Sequence, residues 1–348
     1  MKKTLAILFI LCASLNVCLA QDYHFSQFEA NPFYVNPALT GERLTEEKGV
    51  QFNADYRDQN SQFTNFRGAY RSIAVGADEP LDSKFSIGQF LYNDQSARGA
   101  FNTFGFLMSG AHKIIDENTI NKNNHNLSVG LQLGFMNKSL NTEKFTFDEQ
   151  YSANANDGFD RSIPTGEAFV RRSYFNFNAN FGIYYRFTDK KKKITGFGGF
   201  AIYNISKPNE TFSGDGFYSA LPLRFNLHGG TILKVTDQLD MSAQFLYMNQ
   251  AKANELALSV LMFYKIENTA VETIYGLGVR NKNAVIFNLG LRTKGITFRI
   301  SYDVVTNSYL KAYRRNGLEF STIVTLKSKK QKGGEVLVTP PTSDGGAN

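Results

Sequence analysis

The chain has 348 residues, 42% of them hydrophobic, with 31 Phe and 17 Tyr but no Trp, and its formal charge of +7 falls to +5 without Lys2 and Lys3. The basic runs at 190–193 and 327–332 fall at a turn and in a tail, so charge is scattered rather than gathered into a nucleic-acid-binding patch. Both cysteines, Cys12 and Cys18, lie in the first twenty residues, which excludes a disulfide framework, a zinc–thiolate site and a cysteine nucleophile from the remainder.

Residues 1–20 read as a cleaved secretory signal: Lys2 and Lys3 form the basic end, Leu5 to Val17 the apolar run, and Ala20 closes a small-residue cleavage site. Leu11 before Cys12 and Val17 before Cys18 argue against a lipoprotein. Beyond this leader no stretch approaches the ~20 apolar residues of a membrane helix. Residues 21–48 follow, with prolines and asparagines too dense for a strand in "HFSQFEANPFYVNPALTG".

From 49 onward the period is two. In "YFNFNANFGIYYRF" (174–187), Phe175, Phe177, Phe181, Ile183, Tyr185 and Phe187 share one parity, and Asn176, Asn178, Asn180, Gly182 and Arg186 share the other. Successive side chains of a strand point to opposite faces, so the spacing predicts a strand with one Phe-rich and one Asn-rich side. The same reading predicts strands over 49–57, 65–75, 84–93, 101–112, 127–135, 174–187, 194–205, 222–234, 239–248, 254–264, 272–280, 284–292, 296–303 and 317–326.

If the strands run alternately outward and inward, the long irregular stretches 139–172, 206–221 and 305–316 fall at one end, and apart from 113–125 the turns at the other end are shorter. That asymmetry belongs to outer-membrane barrels. The expected fold is therefore all-β: a transmembrane antiparallel β-barrel of about fourteen strands over 49–326, with a short N-terminal plug-like or periplasmic segment over 21–48. The tail over 327–348 is expected to be mobile and periplasmic. The apolar parity would meet lipid, and the Asn, Ser, Gln, Gly and Thr parity would line a crowded, wet lumen. A soluble β-sandwich would turn its apolar face inward and carry Lys and Glu outside. On this parity, reversing the charge of lumen-facing Arg299 is expected to cost less than an Arg at lipid-facing Phe177, which should cost ~2–4 kcal/mol near the midplane.

At 21–41 the sequence resembles the PorP/SprF family of outer-membrane proteins found with the type IX secretion and gliding machinery of Bacteroidetes. The elements that carry the likeness are Phe25–Ser26–Gln27, Asn31–Pro32, Asn36–Pro37–Ala38 and Gly41, followed by "YRDQ" (56–59) with Arg57, Asp58 and Gln59. Later pieces continue it: "LSVGLQLGF" (127–135), "PTGEAF" (164–169), "LPLRFNLHGG" (221–230), "GVRNKNAVIFNLGLR" (278–292), "SYDV" (301–304) and "NGLEFS" (316–321). The family commonly has Trp after Arg-Asp-Gln; here Asn60 stands there. The resemblance implies a non-enzymatic barrel in the bacterial outer membrane. Its partners would be a secreted adhesin with a C-terminal sorting domain, the secretion and gliding components at the periplasmic face, and membrane lipid.

The named residues of 25–41, with Arg57, Asp58 and Gln59, are the candidate site. They read either as a plug or docking element or as a structural lead-in that closes the barrel floor. The loop 139–172 sets Phe145, Phe147, Tyr151, Phe159 and Phe169 among acids, which suits either a docking surface or a loop folded over its own barrel mouth. "NDGFD" lacks the spaced ligands of a calcium loop, so no metal is expected, and no cofactor. His24, His112, His125 and His228 are dispersed, with no hydrolase motif around them. A passive channel or uptake porin is the alternative function.

Overall fold

The computed structural model describes residues 24–44, 49–59, 70–115, 125–155, 158–166, 172–189, 193–212, 218–281, 283–306, 316–330 and 336–338. The expected signal at 1–20 and the end of the tail, 339–348, lie outside the described residues. The first strands are β1 (Gly49–Gln59), β2 (Tyr70–Pro80), β3 (Phe85–Ser96), β4 (Phe101–Ile115), β5 (His125–Leu140), β6 (Ser173–Thr188) and β7 (Ile194–Tyr203). They are followed by β8 (Arg224–Lys234), β9 (Leu239–Gln250), β10 (Ala253–Lys265), β11 (Val271–Arg280), β12 (Ala284–Thr293), β13 (Ile296–Val305) and β14 (Gly317–Lys330). Each pairs antiparallel with its neighbours, and β1 pairs with β14 from Gly49↔Lys327 to Gln59↔Gly317, which closes a fourteen-stranded barrel. Closure leaves no hydrogen-bonding edge along that seam inside hydrocarbon.

The parity reading holds in β5 and β6. Phe177, Phe181, Ile183 and Tyr185 are exposed on the outside, whereas Asn178 and Asn180 are buried within. Phe135, Leu133 and Leu131 of β5 stand outward beside them, with Gln132 between them buried in the lumen. Such an outward apolar surface is stable only against lipid. No helix among the described residues is long and apolar enough to cross a membrane.

Several strand ends differ from expectation, among them β5, expected at 127–135 and found at His125–Leu140; two differences are instructive. The second strand, expected at 65–75, is Tyr70–Pro80. Its inward parity of Ser72, Ala74, Gly76 and Asp78 carries few apolar cues, and Pro80, which has no N–H to donate, ends the ladder opposite Ser86. The last strand runs past 326 to Lys330, and Ser328–Lys330 pairs with a short strand, β15 (Val336–Val338). β15 sits outside the closed ring.

Two of the turns at the end where β1 begins are short and locally specified. Asp82 accepts from the N–H groups of Lys84 and Phe85, each at 2.7 Å, and those donors hold its carboxyl below the usual carboxylate range. Between β12 and β13 only two residues intervene, Lys294 (φ 37°) and Gly295 (φ 85°), the positive pair that matches strand twist in a tight hairpin. The opposite end, called the loop end below, carries 141–172 and 204–223. There Phe101 packs against Phe145 at 5.3 Å and Tyr174 against Phe212 at 4.9 Å, so both loops are pinned to the rim.

Candidate functional site within the lumen

Residues 24–44 run inside the barrel, and two Asn-Pro steps set their path. Asn31 caps a helical turn, α1 (Pro32–Val35), its side chain accepting from Tyr34 N–H at 3.3 Å. Asn36 caps the 3-10 turn Pro37–Leu39 in the same manner, accepting from Ala38 N–H at 2.9 Å. Asn supplies the side-chain acceptor, and Pro at the next position has the right φ and no N–H to leave unpaired. The carbonyls that α1 leaves over are taken by the wall. Phe33 O accepts from Gln132 Nε2 (3.2 Å) and the Tyr203 hydroxyl (3.0 Å), and Tyr34 O and Val35 O accept from Asn226 Nδ2 (3.2 and 3.0 Å).

At the loop end the segment sits on charge. Glu319 of β14 accepts from Ser26 N–H (2.7 Å) and Gln27 N–H (2.8 Å). Arg57 of β1 bridges Glu319 (2.9 Å) and Asp303 of β13 (2.7 Å), and Arg280 of β11 reaches the same Asp303 oxygen at 2.9 Å. The Ser26 hydroxyl lies among them, donating to Asp303 at 2.7 Å and accepting from both Arg57 and Arg280. Gln27 adds bonds to Ser301 (3.2 Å) and Ser321 (2.7 Å). All these side chains are buried, so each charge depends on the others for compensation.

Midway down, the segment fits a hollow of glycines. A Cβ on Gly130 would lie 2.3 Å from both Ala38 N and the Pro37 carbonyl carbon, and one on Gly182 would lie 1.9 Å from Asn36 Oδ1. Asn36 Nδ2 donates to Ile183 O at 2.9 Å and lies 3.0 Å from His228 Nε2. Thr40 and Ser109 share a hydroxyl bond of 2.6 Å. Near the turn end, Gly41 N–H donates to Asp78 at 2.5 Å, while Glu42 accepts from Asn126 (2.9 Å) and pairs with Arg186 (2.9 Å). The segment thus descends from the loop end to the turn end before β1 begins.

Between these seats lies an apolar core, not the uniformly wet lumen the alternation suggests. Phe25 meets Tyr34 edge-on at 5.3 Å, and Phe33 stacks on Phe90 at 5.6 Å. Leu107 and Leu246 complete it from the wall, where they occupy the inward parity. The Arg224 guanidinium lies 5.0 Å from the Tyr34 ring centre and 4.2 Å from that of Tyr203.

Of the residues singled out from the sequence, Ser26, Gln27 and Arg57 come together in the charged seat. Phe25, Asn31, Pro32, Asn36, Pro37 and Gly41 lie buried in the segment, and Asp58 is buried while Gln59 is half-buried on β1. No external partner can touch the buried ones while the segment is seated. Glu319, Asp303, Arg280 and His228 fall within recognised motifs, yet only their inward parity marks them as contact residues. Arg299 has a partner that its lumen parity did not disclose: its buried guanidinium pairs with half-buried Glu29 at 2.7 Å. Among the described residues, no group of three His, Cys, Asp or Glu side chains is placed to hold a metal ion.

A family model described as type IX secretion system membrane protein PorP/SprF matches residues 17–324. No curated protein matches the chain. Similar solved structures include a TodX mutant, a monoaromatic hydrocarbon channel, at 12% identity and TM-score 0.48, covering 83% of this chain and 92% of that one. A Pseudomonas aeruginosa FadL homologue matches at 13% identity and TM-score 0.47, with coverage of 83% and 92%. The KdgM porin matches at 7% identity and TM-score 0.38, with coverage of 79% and 98%. At these identities the likeness is one of architecture.

Proposed function

Since the chain belongs to the PorP/SprF family of type IX secretion system membrane proteins, we propose that it is a closed outer-membrane scaffold that works by binding, holding the C-terminal sorting domain of a secreted adhesin at its loop end. The observation that carries this reading is the seated segment, bonded to β14 at its top and to β5 and β6 at its foot across a lumen it fills with Phe33, Tyr34 and Asn36. A barrel filled in this way is suited to holding rather than conducting. The loop end supplies the accessible surface: Tyr151 (66% exposed) stands on a small hairpin bridge to Phe159, beside exposed Asp148 and Glu149. The turn end and the β14–β15 extension would face the periplasmic components of the machinery. The segment is assigned to sealing rather than to docking, because its motif side chains point into the wall.

The test uses the full chain in lipid nanodiscs and planar bilayers. The barrel should retain a purified sorting domain, lose it on Tyr151→Ala combined with Glu149→Lys, and conduct little. Steady conductance with no retention would replace this reading with that of a passive channel.

A further inference from the structure

Among the described residues, the longest gap in the strand pairing of the wall lies along β6. β5 pairs with β6 from Ser173 to Phe187, but β7 pairs with β6 only from Phe181 to Thr188. The eight residues Ser173–Asn180 therefore present a main-chain edge that no strand among the described residues takes up. The carbonyls of Phe177 and Ala179 face this flank, and so do the N–H groups of the same residues, because both main-chain groups of a strand residue point to one side. Phe175 and Phe177, 63% and 49% exposed, set the edge at the outer border of the apolar belt, where unpaired main chain is costly.

The cover is residues 204–209, which cannot extend the sheet. Asn204 (φ 62°) and Lys207 (φ 46°) have positive φ, and Pro208 follows. This stretch reaches β6 through Ile205 N–H to Ala179 O (2.9 Å), the Ser206 hydroxyl to Phe177 O (2.8 Å), and bonds from the side chains of Asn176 and Asn178 (2.7 and 3.1 Å). One main-chain bond, from Ile205 N–H, and three bonds that involve side chains stand where a neighbouring strand would use its backbone throughout.

We propose that this edge is a strand-addition site, at which the cover lifts and an extended segment of the secreted polypeptide pairs with Ser173–Asn180. The occupant is specified by the edge. It is extended over about 26 Å at ~3.3 Å per residue, free of proline at its centre, apolar on the side of Phe175 and Phe177, and polar on the side of Asn176 and Asn178. Main-chain bonds would supply affinity and the alternation selectivity. The inference rests on the reading that the loop end receives a secreted chain, and the edge opens directly beneath loop 141–172, where Leu140 N–H donates to Arg172 O at 2.8 Å.

The probe is a synthetic decapeptide of alternating valine and asparagine bearing a benzophenone, offered to the full-length barrel in nanodiscs. Since the cysteines lie only in the first twenty residues, Asn176→Cys with Asn209→Cys allows the cover to be tied down by a short bifunctional methanethiosulfonate and released by reductant. Heat-dependent gel migration verifies folding of each form. Illumination should label 173–180 in the untied barrel, fall more than tenfold when the cover is tied, and return on reduction. A peptide with two central prolines should not label. Equal labelling of tied and untied forms, labelling elsewhere, or none overturns the proposal. A barrel that retains the sorting domain but ignores the peptide refutes strand addition alone; the converse upholds the edge and refutes the docking reading.

Discussion

Gly130→Ala should unseat the lumen segment while sparing the barrel. The new Cβ would lie 2.3 Å from Ala38 N and 2.5 Å from Pro37 O, where ordinary contact begins at 3.4 Å. The neighbours are backbone atoms, so no rotamer change relieves the overlap, and the segment must withdraw by about 1 Å. Overpacking of this kind costs ~1–3 kcal/mol. Withdrawal also strains the Asn36 bond to Ile183 O and the Thr40–Ser109 pair, each worth ~0.5–1.5 kcal/mol. A total of about 3 kcal/mol shifts the seated population by roughly 10²-fold. Tryptic cleavage at Arg43, in the foot of the segment, should accelerate by a similar factor if cutting follows the unseated fraction, and conductance should appear in planar bilayers. Gly196→Ala is the control, since a Cβ there meets nothing within 4 Å. Gly182→Ala should couple to Asn36→Ala, which removes the oxygen lying 1.9 Å from the added methyl. Wild-type cleavage and conductance in Gly130→Ala would refute the seating argument.

Glu319→Ala should loosen the top of the segment by ~3–5 kcal/mol, because Arg57 loses one carboxylate and two segment N–H groups lose their acceptor; hydrogen exchange at Ser26 and Gln27 reports it, and unchanged protection would contradict it. Arg299→Glu should cost a comparable amount by replacing the partner of half-buried Glu29 with a like charge at a buried position, more than Phe175→Arg at the outer rim, with urea unfolding in vesicles giving the order. Phe181→Arg, set deeper on the lipid face, should lose ~2–4 kcal/mol in that assay against ~0–1 for Phe175→Arg; equal losses would contradict the depth assignment. Asp82, with a depressed pKa, stabilises its turn above the ordinary aspartate value of ~3.9 and loses that contribution as pH falls through the depressed one. A carboxyl titration by NMR should show the low midpoint, and Asp82→Asn should flatten the acid limb.

The wall was legible because a period of two is local: Phe175 to Phe187 against Asn176 to Arg186 needs no knowledge of neighbours, and closure follows from hydrogen bonding in lipid. β2 was misplaced because Gly76 and Ala74 leave its inward face almost blank. The Asn-Pro steps announced a non-strand segment, and their capping geometry is local too. Its seats were not legible. Glu319 meets Ser26 across 293 positions, and the hollow for Pro37 is recognisable only when Gly130 and Gly182 are paired across strands. Phe90 and Leu107 broke the polar parity of the lumen for a reason found only there: they face Phe33, not water.

The upper seat has a kinetic meaning. Ser26 and Gln27, near the head of the segment, are held by Glu319 on β14, the last strand of the ring, so parts of the chain nearly three hundred residues apart must meet before either is satisfied. Contacts of such sequence separation form late, after the loop entropy between them has been lost. Joining of the seam between β1 and β14 and capture of the segment's head therefore belong to one terminal event. A nascent barrel still lacking its last hairpin would be both open-sided and unfilled.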